Sequence, residues 1–336
     1  MDNYRQLQPL IFKEYIILDL MKFAMAIVVV AIHTRPELSF SSPVVVSLFE
    51  AVYSIAVPFF FMASGFLLFR KISFPLNEEG EQRIKAYLKK ICKLYLIWTV
   101  IYLPLTVYGF YLDGLPFLKS VAVFIRNILL IGENYMSWPL WYLLALIVAV
   151  AIIYVLLKLK LLKNWIVLFG ILMAMIGVAL DYCKDNSIMQ SVTDLYFPLF
   201  QKTRNGFFVG FLYVSLGMFC SKLDKASLWP ILMIFLIGII GMCLALPLAN
   251  SLVVLALFVI SIALRGDVFS SCTSQDYRYL SSIIYFCHML YVALLVLCCG
   301  LKSGILLFAI ATILSVITGL VFLRKRGTKV FNLLFN

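Results

Sequence analysis

Asp19, Lys22 and His33 stand in one apolar stretch, LDLMKFAMAIVVVAIHTRP, residues 18–36. Ionisable groups inside a segment fit to cross a bilayer are costly, and they usually face a cavity or one another. Read as a helix at about 100° per residue, Lys22 and His33 share a face about 16 Å apart, with Asp19 on the same side. An imidazole exchanges protons near neutrality, and an ammonium holds an anion. Against this stand two plainer readings. His33 is an interfacial histidine that finds water, or Asp19 and Lys22, spaced i and i+3, form only a local ion pair.

Other residues could join them. AVPFFFMASGFLLFRK places Ser64, Gly65 and Phe66 in a second apolar run behind Pro58, which should kink the helix. A Ser-Gly pair lets a ligand or another helix come close, and helix packing is its commoner use. Glu50, further out on the same run, either lines an outer vestibule or is plain surface. SWPLWYL sets Trp138, Trp141 and Tyr142 at a membrane boundary, where an aromatic belt is the default. QKTRNGFF puts Arg204 and Asn205 at the mouth of another run, and YFCHMLY places His288 mid-helix after Tyr285. Asp181, Asp185 and Asp194 read as solvated loop charge.

The elements that position these residues follow from composition. The chain has 336 residues, 64% hydrophobic and 13% charged, with mean hydropathy +1.03. That balance defines an all-α, polytopic membrane helix bundle. Spanning runs of roughly 17–25 residues fall near 16–34, 44–69, 94–111, 138–157, 164–180, 205–221, 228–246, 249–264, 281–299 and 303–323, about ten in all. The sixth could begin a turn earlier, because YFPLF precedes QKTRN. Segment 116–131 is shorter, carries Lys119 and Arg126, and reads as an interfacial or re-entrant helix. With the N-terminus inside, the inner segments hold 21 of the 28 lysines and arginines, so both ends face the cytoplasm. The net charge of +12 reflects those inner segments, and no basic arm for nucleic acid stands free. Loop 70–93, with Arg83, Lys85, Lys89, Lys90 and Lys93, suits anionic lipid or a phosphate-bearing cosubstrate. The eight cysteines show no metal spacing; only Cys183 falls in an outer loop, so no intrachain disulfide is expected. A polar start and the lack of a cleavage site make the first span an uncleaved anchor. No repeat or linker divides residues 1–336, which read as one domain.

Together these stretches resemble the acyltransferase-3 family of bacterial integral-membrane acyltransferases. The likeness rests on Leu18, Asp19, Met21 and Lys22 with His33 eleven residues beyond Lys22, on VPFFFMASGF (Ser64, Gly65, Phe66), on PLWYL (Trp141) and on IIYFCH (Tyr285, His288). Where the family has arginine in the first motif this chain has Lys22, which keeps the charge without the planar fork. VAIH, LWYL and TRNGFFVGFLYVSLGM are similar to the membrane domain of the serine racemases of vancomycin-resistance systems. The family likeness implies transfer of an acetyl or similar group from cytoplasmic acyl-CoA to a hydroxyl of an envelope glycan or small polar acceptor, in the bacterial cytoplasmic membrane. His33 would be general base, Lys22 the partner of the anionic cosubstrate, and Asp19 the positioner of Lys22. Ser64, Gly65, Phe66, Trp141, Arg204, Asn205, Tyr285 and His288 would surround the substrates. No resident cofactor or metal is expected. No triad is legible, since Asp19 lies about 20 Å or more from His33 along the helix. The racemase likeness leaves a second reading, a carrier for a small polar solute such as L-serine, with His33, Arg204 and Glu50 lining its outer site.

Overall fold

The computed structural model describes residues 15–184, 190–223, 228–264 and 274–335, and every regular element among them is helical. In order they are α1 (Ile16–Thr34), α2 (Pro43–Phe69), α3 (Glu78–Leu112), α4 (Phe117–Arg126), α5 (Trp141–Lys158), α6 (Lys163–Tyr182), α7 (Gln190–Phe200), α8 (Phe211–Cys220), α9 (Leu228–Cys243), α10 (Ala249–Ala263), α11 (Ser274–Leu297), α12 (Ile305–Arg324) and α13 (Lys329–Phe335). Among the described residues seven helices are long and apolar enough to cross a membrane, and three shorter apolar ones span 206–220, 229–243 and 249–263. These ten match the ten expected runs. The protein is a multi-pass membrane protein, and its exposed leucines, valines and isoleucines follow from having lipid as solvent.

Three local features set the frame. α3 begins outside the apolar zone, where Asn77 caps it by accepting from the Gly80 N–H at 2.9 Å and Glu78, Glu79 and Glu81 occupy its first turn. The basic juxtamembrane segment is therefore continuous with the third span. Pro58 sits inside α2 and cannot donate back to the Ser54 carbonyl, so Asn250 of α10 donates to that oxygen at 3.2 Å. A helix break in lipid is tolerated when a neighbour satisfies the freed backbone in this way. α2 and α8 cross through two glycines in reciprocal positions: Gly65 faces the Val214 backbone and Gly217 faces the Met62 carbonyl.

Four details add to the expected spans. YFPLF belongs to α7, a separate short helix, and the sixth span starts at Gly206 with a π-helical turn, Gly206–Gly210. Segment 116–131 divides into α4, with no buried residue, and a π turn, Asn127–Ile131. α11 ends at Leu297, which leaves Cys298 and Cys299 exposed beyond it, so Cys183 is not alone outside the spans on that side. After the last span α13 folds back, and its Leu334 carbonyl accepts from the Trp98 indole of α3 at 2.8 Å.

Candidate functional site

A cavity of about 440 Å³ opens between α1, α2, α5, α6, α8, α10 and α11. Its polar lining includes His33, Glu50, Tyr53, Asp181, Thr203, Arg204 and Asn250, together with Trp141, Tyr142 and Tyr285. Helix alternation brings these residues to one end of the bundle, which the lysine and arginine count assigns to the outside. Glu50, Asp181 and Arg204 are exposed at the mouth. Arg204 lies over the Trp141 ring, 4.9 Å from its centroid, and Asp181 accepts from the Thr203 hydroxyl. The wall behind Tyr53 is anchored: its phenol donates to Glu37 at 2.6 Å, and Arg35 bonds the other Glu37 oxygen at 3.0 Å. Glu37 is 1% exposed. Burial pushes its carboxyl up, but hydrogen bonds from Tyr53, its own backbone and Arg35 leave it below the usual carboxylate range.

His33, in the last turn of α1, lines this cavity beside two rings: Trp138 stacked at 5.9 Å and His288 at 5.4 Å. The Trp138–Tyr142 segment therefore serves the chamber as well as the membrane boundary. Tyr285 donates to the Pro139 carbonyl, and the Tyr142 hydroxyl meets Ser64 Oγ at 2.8 Å. Ser64 lies under the floor, outside the lining.

Asp19 and Lys22 stand elsewhere. At the inner end of α1, Asp19 is 1% exposed and receives the Arg278 guanidinium of α11 at 3.2 and 2.8 Å, with Lys22 Nζ at 3.7 Å. Lys22, although on the His33 side of α1, is not among the residues that line the chamber, and Met25, Ala26 and Val30 between the two are packed into the core. Three other motif residues also do structural work. Gly65 is filled by the α8 backbone, and Phe66 is buried edge-on to Phe258. Asn205 accepts from the Phe207 N–H at 3.0 Å and donates to the Tyr196 hydroxyl, capping the sixth span instead of lining the chamber.

Sequence reading missed Arg278, Asp181, Thr203, Tyr53 and Asn250 as members of these clusters. Asp181 carried a usable signal, an acid on the last turn of an apolar run. Asp194 is exposed, and Asp185 falls outside the described residues.

An all-helical membrane bundle with a histidine-bearing chamber open at one end defines an integral-membrane protein with a polar-lined cavity at that face. The chain belongs to the acyltransferase-3 family: the model of its acyltransferase domain matches residues 15–324. Among curated proteins it is similar to an amino-acid racemase of Enterococcus faecalis, 33% identical over 208 residues, covering 61% of this chain and 28% of that protein. A serine/alanine racemase of Enterococcus gallinarum is 30% identical over 231 residues, covering 67% of this chain and 32% of that protein. The match thus spans about a third of these relatives' length. No solved structure matches.

Proposed function

We propose that the protein moves an acyl group, acetyl or similar, from cytoplasmic acyl-CoA to a hydroxyl presented at the outer face of the bacterial cytoplasmic membrane. The acceptor would be an envelope glycan or a small polar molecule. The observation that carries this reading is His33 facing an outer chamber in a chain of an acyltransferase family.

His33 accepts the acceptor's O–H proton as the oxygen attacks the thioester carbonyl; the C–S bond breaks, and the leaving thiolate takes the proton back. Transfer is direct, without an acyl-enzyme. Lys22 and Arg278 at the inner end favour the cosubstrate's phosphates, and the acyl arm approaches the chamber floor at Ser64 and Tyr142. For that approach the Ser64–Tyr142 contact must part.

One observation favours a second reading. The carboxylates of Glu50 and Asp181 and the guanidinium of Arg204 line the same small cavity, a charge pattern suited to a zwitterion. A carrier for a small polar solute such as L-serine would use it directly, in keeping with relatives named serine/alanine racemase.

Purified protein in liposomes separates the two. Acetyl-CoA consumption that requires an acceptor, and falls by about 10²–10⁴-fold in His33→Ala, supports acyl transfer. L-serine uptake without thioester loss supports the carrier and overturns it.

A further inference from the structure

General-base catalysis by His33 leaves one question open. A histidine base is effective when its second nitrogen is held by another group, which fixes the tautomer and steadies the imidazolium that forms. Asp19 cannot serve, being at the far end of α1.

His288 is the ring best placed for this. It is fully buried, at 0% exposure, beside His33 at a centroid separation of 5.4 Å. Its Nδ1 lies 2.9 Å from the Ile284 carbonyl, one turn back in α11. A carbonyl only accepts, so that contact requires the hydrogen on Nδ1. Nε2 of the neutral ring then carries a lone pair, and it has no hydrogen-bond partner among the described residues. A buried acceptor left without a donor is costly, and natural proteins leave few of them. A nearby ring that can supply a donor is His33, which also stacks with Trp138 at 5.9 Å.

We propose that His288 is the positioning residue for His33: its Nε2 accepts a hydrogen bond from one ring nitrogen of His33, leaving the other nitrogen as a lone pair toward the chamber. When His33 takes a proton, it continues to donate to His288, which stays neutral. No bond is made or broken at His288. The two rings are not within hydrogen-bond distance in the present arrangement, and catalytic hydrogen bonds of this kind commonly close only when substrate is bound. Trp138, stacked near His33 at 5.9 Å, is a second ring packed against it. The proposal rests on the acyl-transfer reading for its role in turnover; the coupling of the two rings does not.

The sequence makes this unusually testable, because the chain holds two histidines. ¹⁵N-histidine labelling in lipid bilayers gives two imidazoles to resolve, with and without a hydroxyl-bearing acceptor. The expected wild-type result is His288 in its Nδ1–H form and His33 in a single tautomer. In His288→Phe, His33 should become a mixture of tautomers; in His288→Gln, whose amide oxygen can still accept, it should largely recover. In turnover, His288→Phe should lower kcat by about 10–100-fold with KM little changed, with His288→Gln intermediate. His33→Ala combined with His288→Phe should cost no more than His33→Ala alone. A His33 tautomer that is unchanged in both His288 variants, or His288 protonated on Nε2, overturns the proposal. Failure of the acyl-transfer reading would leave the wild-type protein without thioester consumption, while the tautomer measurement still reports on the coupling.

Discussion

Gly65 decides how the SGF motif is to be understood. A methyl added there would meet the Val214 carbonyl oxygen closer than 3.0 Å and its carbon at 3.1 Å, whereas ordinary contact begins near 3.4 Å. The obstacle is backbone, so no rotamer relieves it, and α2 and α8 must separate by about 1 Å to restore ordinary contact. Overpacking of this kind costs about 1–3 kcal/mol, and a rigid obstacle puts Gly65→Ala near the upper end. Alanine returns about 0.5–1 kcal/mol through its better helix propensity, so a net loss of about 2 kcal/mol is expected. Gly217, whose added methyl would lie 2.9 Å from the Phe66 nitrogen and the Met62 carbonyl carbon, should behave alike. Because one separation relieves both clashes, the double variant should lose less than the two singles together. The assay is thermal unfolding in lipid nanodiscs, read by a thiol dye after exposed cysteines are blocked; Cys220, 1% exposed on α8, reports on this crossing. An unfolding midpoint equal to wild type, accompanied by lost turnover, would refute the packing account and return Gly65 to the substrate path.

Two further outcomes are expected. Arg278→Ala should destabilise by about 1–3 kcal/mol: it strips two donors from the buried Asp19 carboxylate, an effect reduced by Arg278 being 42% exposed. A double-mutant cycle with Asp19→Asn measures this, and additive losses would show that the pair contributes nothing. Glu37, whose carboxyl sits below its ordinary value of 4.5 in the folded protein, contributes stability that is present above that value. That contribution is lost as pH falls from about 4.5 through the lower folded value, so Glu37→Gln should flatten the acid limb of a stability-against-pH profile.

Much of this protein is legible in its sequence because lipid is an unforgiving solvent. Every backbone polar group in a span must be bonded internally, so long apolar runs can only be helices, and ten such runs give ten helices. His33 was legible as an imidazole on the last turn of a span, and the structure places it in the chamber lining. Which residues meet across helices was not readable. Arg278 lies 259 positions from Asp19, and His288 and His33 are likewise brought together only by the packing of α11 on α1. A sequence period of 3.6 assigns a face to each helix but leaves open which neighbour that face meets, so Lys22 and His33 share a side of α1 and still serve separate clusters. Packing settled that, because the small and aliphatic residues between them fill the core from Met25 to Val30 and leave the outer chamber and the inner ion cluster apart.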